Sequence, residues 1–226
     1  MTRPGLVLTD IEGTTTAIAF VHATLFPFAA DALDEFLALH GQSPEVAAIL
    51  ADVPAPAAQT LRRWLEADAK VTPLKALQGI IWRQGYADGR LRGHLWPDVA
   101  PALRAWHAAG VGLAVYSSGS EEAQRLLFGF STAGDLAPLF RGFFDTRMGG
   151  KRETASYTAI ADFLGLPIAD TLFLSDVAEE LDAAGSAGMA TCQLVRAEDG
   201  TEPSGRHPVA HDFEDVARLH ALPTPA

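Results

Sequence analysis

Three short, almost wholly apolar runs in this chain each break off into a polar signature. Residues 5–9 end at Asp10-Ile-Glu12-Gly-Thr14, residues 111–116 at Ser117-Ser118-Gly119, and residues 171–174 at Ser175-Asp176-Val-Ala-Glu179-Glu180. Apolar runs without alternation are the pattern of strands buried on both faces, which means a parallel sheet covered by helices. The intervening segments have helical spacing. Residues 97–109 place Pro97 in a first turn and Val99, Leu103 and Trp106 on one face, with Gly110 as the stop. Residues 121–130, 153–164 (closed by Gly165) and an alanine-rich stretch to Ala187 also read as helices. Residues 143–145 and 191–195 read as further strands, 197–208 as a polar loop and 212–219 as a last helix. The expected fold is α/β, a Rossmann-like doubly wound parallel sheet.

The stretch between the first and second strong strands has helical periodicity and no strand pattern. Ser43-Pro44 and Thr72-Pro73 each read as an N-cap followed by proline at the first helical position. Leu61, Trp64, Leu65 and Asp68, and then Leu74, Leu77, Gln78, Ile81 and Trp82, keep helical spacing. A connection of this size is too long for a loop. The expected organisation is a core of residues 1–19 and 93–226 with an all-helical insertion, residues 20–92.

Composition narrows the function. Seventeen Lys+Arg against 28 Asp+Glu give a net charge of −11 over 226 residues, which argues against partners that need clustered cations, namely nucleic acid and anionic membrane. The single cysteine, Cys192, excludes an internal disulfide and a cysteine-rich metal site, and no run reads as a signal peptide or a membrane span. The expectation is a cytoplasmic, unanchored monomer acting on a small molecule.

In open α/β sheets ligands bind beyond the carboxyl ends of the strands, so the three signatures should share one crevice. Asp10 and Glu12 can both approach it, because Gly13 permits a tight exit. A carboxylate there can attack phosphorus and form an aspartyl phosphate. Several carboxylates repel a phosphate unless a cation lies among them, and Mg²⁺ suits oxygen ligands of this kind. Asp10, Glu12 and Asp176 are therefore the candidate metal-binding residues, with Asp10 also the candidate nucleophile. Ser117, the amides at Ser118 and Gly119, and Lys151 after Gly149-Gly150 can hold phosphate oxygens. Taken singly, each has a plainer reading: Asp10 or Asp176 as a turn former, Ser117 as a cap, Lys151 as a solvated surface lysine. Their order and strand-end placement make them a set. Other motifs fail: Asp145 and Arg152 spoil a P-loop around Gly149-Gly150-Lys151, and Pro208 separates His207 from His211.

The ordered set Asp10, Ser117, Lys151, Asp176 resembles the four motifs of the haloacid dehalogenase-like hydrolases, and the insertion resembles their helical cap. A finer resemblance is to the enolase-phosphatases of methionine salvage. It is carried by Asp10-Ile-Glu-Gly-Thr-Thr15, Tyr116-Ser-Ser-Gly-Ser120 with Ala123-Gln124 and Leu126-Leu-Phe-Gly129, Gly134-Asp-Leu136, Phe144-Asp-Thr146, Ala155-Ser-Tyr157, and Phe173-Leu-Ser-Asp176 with Glu180-Leu-Asp-Ala-Ala184. Glu12 stands where the wider superfamily's phosphatases commonly have Asp. Glu180 stands where many relatives have a second Asp, with an indirect contact to metal expected. The resemblance implies Mg²⁺ on Asp10, Glu12 and Asp176, and substrate on Ser117, Ser118 and Lys151. It also implies a phosphorylated diketone substrate, 2,3-diketo-5-methylthiopentyl-1-phosphate, enolised and then dephosphorylated to 1,2-dihydroxy-3-keto-5-methylthiopentene. Glu12 is the candidate enolisation base. Phe20, Trp82 and Tyr86 are conceivable contacts for the methylthio tail but read first as core aromatics.

Overall fold

The computed structural model describes residues 3–67, 69 and 71–224. Six strands, Leu6–Thr9 (β1), Gly112–Tyr116 (β2), Gly142–Phe144 (β3), Thr171–Ser175 (β4), Ala190–Leu194 (β5) and Val209–Ala210 (β6), form one all-parallel sheet of order β3-β2-β1-β4-β5-β6. The order reverses beside β1, and such a switch point opens a crevice at the carboxyl edge. Register brings the three signatures together there, since Thr9 lies opposite both Val115 and Leu174. The doubly wound expectation is met. The two-residue β6 falls just after the loop expected over 197–208 and carries no sequence signal, because a strand this short has no periodicity to see.

The chain divides into two compact units, Met1–Ile18 with Gly93–Ala226, and Ala19–Arg92. The second is all-helical. Ile18–Phe20 (α1) runs through a π-helical turn, Val21–Leu25, into Phe26–His40 (α2), followed by Pro44–Ala51 (α3), Ala57–Glu66 (α4) and Thr72–Ala87 (α5). Its own core joins Ala29, Leu33 and Phe36 of α2 to Val46, Leu61, Leu74, Leu77 and Ile81. Tyr86 is buried, whereas Trp82 stacks on Phe26 and donates its indole N–H to the Leu25 carbonyl at 2.8 Å. The Ser43 side chain flanks α3 without a capping hydrogen bond, and Thr72 is the first helical residue of α5, preceded by Val71, rather than its N-cap. Asp68 lies outside the described residues.

In the α/β unit the helices are Val99–Ala108 (α6), Glu121–Gly129 (α7), Thr154–Leu164 (α8), Ala178–Ala187 (α9) and Phe213–Leu219 (α10). Side chains alternate across a strand. Leu6, Leu8, Ala114, Tyr116, Phe144 and Phe173 share one face with Tyr157, Ile160 and Ala161 of α8 and Leu181 and Ala184 of α9. Phe143 points the other way, toward Phe128 of α7, and Trp106 of α6 stacks on Phe213 of α10 at 5.3 Å. Pro97 falls before α6, not in its first turn: the flanking Asp98 carboxylate is taken by Arg196 and the Phe213 amide instead of capping the helix. Among the described residues no helix is long and apolar enough to cross a membrane.

Candidate active site

Asp10 follows β1 directly and is buried, its amide bonded to the Leu174 carbonyl at 2.9 Å. The chain then folds back on itself. The amides of Thr14, Thr15 and Thr16 all reach the Ile11 carbonyl, and Gly13 donates to Thr16. Gly13 has φ +72°, and a Cβ there would lie 2.4 Å from Asp176 Oδ2. The turn needs glycine twice over, for its left-handed backbone and for the room it leaves Asp176.

Lys151 is no surface lysine. Its side chain is 9% exposed, and Nζ lies 2.7 Å from Asp10 Oδ1 and 2.6 Å from Glu180 Oε2. Burial opposes its charge, but Asp10 and Glu180 outweigh that and hold the ammonium above its usual range. Burial raises the Glu180 carboxyl, with Asp10 adding to it against Lys151. Glu180 also accepts from the Ser175 hydroxyl at 2.9 Å. Asp176 has one oxygen, Oδ1, that is buried without a hydrogen-bond partner, and its pKa is raised to about 7, first by burial and then by Asp10. Lys151 is thus shared by Asp10 and Glu180, leaving Asp176 with an uncompensated carboxylate beside another. Among the described residues no group of three or more His, Cys, Asp or Glu is arranged to hold a metal. The donor set is a pair of strand-end carboxylates with an orphaned oxygen, and this fits a hard cation that keeps waters and takes one or two carboxylates. Glu12 is half-buried in the turn, bridged to Thr16.

Ser117 is buried at the end of β2, its amide on the Phe144 carbonyl and its hydroxyl accepting from Gly119 N at 3.3 Å; Ser118 is exposed. Ser120 caps α7 by accepting from Ala123 N. The loop is tied down by buried Gln124, whose amide donates to the Gly119 and Phe144 carbonyls at 2.8 Å each.

Sequence reasoning missed the supports of Lys151. Three successive carbonyls, Gly149, Gly150 and Lys151, accept from the hydroxyls of Tyr116, Ser156 and Tyr157 at 2.9, 2.9 and 2.6 Å. Burial raises both tyrosines' pKa, so they stay donors. Ala155-Ser-Tyr157 was visible only as a family match, because its partners come from folding. Gly13→Ala is the simplest probe of the turn's geometry: it should weaken divalent-cation binding by displacing Asp176, and an unchanged cation affinity in calorimetry would show that the close approach does not matter.

These features define the class. The haloacid dehalogenase-like hydrolase model matches residues 5–188, and the chain belongs to that family. Within it, the chain is 58% identical to the Enolase-phosphatase E1 of Granulibacter bethesdensis over 231 residues, covering all of both chains, and 55% identical to that of Acidiphilium cryptum, covering 100% of this chain and 99% of the relative. The crystal structure of the UTR4 protein of Saccharomyces cerevisiae superposes with a TM-score of 0.82 at 32% identity, covering 93% of this chain and 99% of that one. The chain is a member of the enolase-phosphatase group, a phosphatase with enolase activity.

Proposed function

We propose that the protein converts 2,3-diketo-5-methylthiopentyl-1-phosphate to 1,2-dihydroxy-3-keto-5-methylthiopentene and phosphate in methionine salvage, at the strand-end site. The observation that carries the site assignment is the buried Asp10–Lys151–Glu180 arrangement beside the orphaned Asp176 oxygen. Mg²⁺ is the expected cofactor: Asp10 and Asp176 would hold it, with Glu12 on the turn as a further contact, and when bound it supplies positive charge for the phosphate and polarises the substrate carbonyl.

The chain's own residues do the rest. Glu12 removes the proton next to the carbonyl as general base, giving an enolate, and the carbonyl oxygen takes up a proton to complete the enol. An Asp10 oxygen then attacks phosphorus as the bond to the substrate oxygen breaks; that oxygen takes up a proton and leaves as product. Water cleaves the aspartyl phosphate and restores the Asp10 carboxylate. Lys151 neutralises Asp10 and binds a phosphate oxygen, while Ser117 and the Ser118 and Gly119 amides hold the others. The helical unit is inserted in the chain directly after the Asp10 turn. One cysteine and a net charge of −11 support a cytoplasmic monomer with neither nucleic acid nor membrane as partner.

With Mg²⁺ and the diketo phosphate, the protein should release phosphate over many turnovers. Absence of release would sink this substrate, and release from other phosphorylated metabolites alone would make it a different phosphatase of the same family. A single stoichiometric phosphorylation would instead indicate a regulatory domain.

A further inference from the structure

Gln193 lies on β5 opposite Ser175 in the ladder and is 3% exposed. Its amide is committed in both directions. Nε2 donates to the carbonyls of Asp176 at 3.0 Å and Glu202 at 3.1 Å, and Oε1 accepts from Ser204 N at 2.9 Å. A carboxamide, with two N–H donors and an acceptor on one planar group, can make all three bonds at once.

The main chain around Asp176 is held from its other side by Ser175, whose hydroxyl accepts from Val177 N at 3.1 Å. The Asp176–Val177 peptide is therefore fixed at both its oxygen and its nitrogen. The carboxylate it carries has one oxygen against the Gly13 backbone and the other buried without a partner. Such a carboxylate is aimed by its backbone, since no side-chain hydrogen bond orients Oδ1.

We propose that Gln193 is a positioning residue for Asp176, setting the direction in which its carboxylate meets a divalent cation and making the 202–204 loop part of the cation site's support. This rests on the reading of Asp176 as a cation ligand. Groups that orient a ligand typically change metal affinity about 10–100-fold when removed. A glutamine that merely stitches two loops together would change stability and leave cation affinity alone.

The test is calorimetric titration of Mg²⁺ into the metal-free full-length protein, for the wild type, Gln193→Met, Gln193→Asn and Asp176→Asn, with folding checked by circular dichroism. Gln193→Met is expected to raise the Mg²⁺ Kd about tenfold or more. Its turnover should return to within about twofold of wild type once Mg²⁺ saturates, because the ligand itself remains. Gln193→Asn, which is one methylene too short to span both carbonyls, carries the same readout should the methionine variant not fold. Unchanged affinity in the Gln193 variants, with weakened binding in Asp176→Asn, overturns the positioning role alone. Unchanged affinity in Asp176→Asn overturns the ligand reading and the positioning role with it.

Discussion

Asp10→Asn is expected to lower phosphate release by about 10³-fold or more, since an amide cannot form the acyl phosphate. The substitution keeps the shape of the side chain in a buried position and leaves Lys151 its second carboxylate, Glu180, at 2.6 Å. The fold should therefore survive. Enolisation asks for a base and a polarised carbonyl but no phosphorus nucleophile, so the variant should accumulate enol phosphate, seen as enol absorbance without free phosphate. Phosphate turnover at the wild-type rate would show that Asp10 is not the nucleophile. Loss of both signals would mean that Asp10 serves the two half-reactions together.

Arg196→Met is expected to destabilise the α/β unit by about 3–5 kcal/mol, the range for removing one partner of a buried ion pair. The Arg196 side chain is 4% exposed, and all five of its N–H donors are engaged. Nε and Nη2 reach the Thr14 carbonyl at 3.2 and 2.9 Å, Nη1 and Nη2 clasp Asp98 at 3.0 and 2.9 Å, and Nη1 also reaches the His211 carbonyl at 3.2 Å. The guanidinium lies over Trp96 at 5.4 Å and Phe213 at 5.7 Å. Methionine would fill much of the space but leave the Asp98 carboxylate without its cation, with only the Phe213 amide, and the Thr14 and His211 carbonyls without these donors. Arg196→Lys should recover little, because an ammonium cannot reproduce the fork. Urea unfolding is the measurement, and a loss under about 1 kcal/mol, as for an exposed pair, would contradict this account. Thr14 belongs to the turn that carries Asp10, so the same bonds hold the strand-end site in shape.

The strands and their polar endings were legible in the sequence because burial on both faces leaves uninterrupted apolar runs. Asp10, Ser117 and Asp176 were legible for the same reason, each standing where a strong strand stops. Lys151 follows no strand and was recognisable only in order with the others; its burial depends on Tyr116, Ser156 and Tyr157, which come from other segments. Arg196 and Gln193 carried no signal at all. A buried arginine with five hydrogen bonds looks, in one dimension, like any charged residue at a strand end, since its partners Thr14, Asp98 and His211 are brought to it only by folding. The start of α6 was misplaced for a related reason: proline in a first turn is a local rule, and Asp98 answers to Arg196 instead.

The most direct test of the central claim follows both signals in one wild-type reaction, mixing enzyme, Mg²⁺ and 2,3-diketo-5-methylthiopentyl-1-phosphate in a stopped-flow instrument and recording enol absorbance and free phosphate together. A site that enolises and then dephosphorylates should show the enol signal rising first, phosphate following with a lag, and both vanishing when the cation is chelated. Phosphate released without a preceding enol would contradict it.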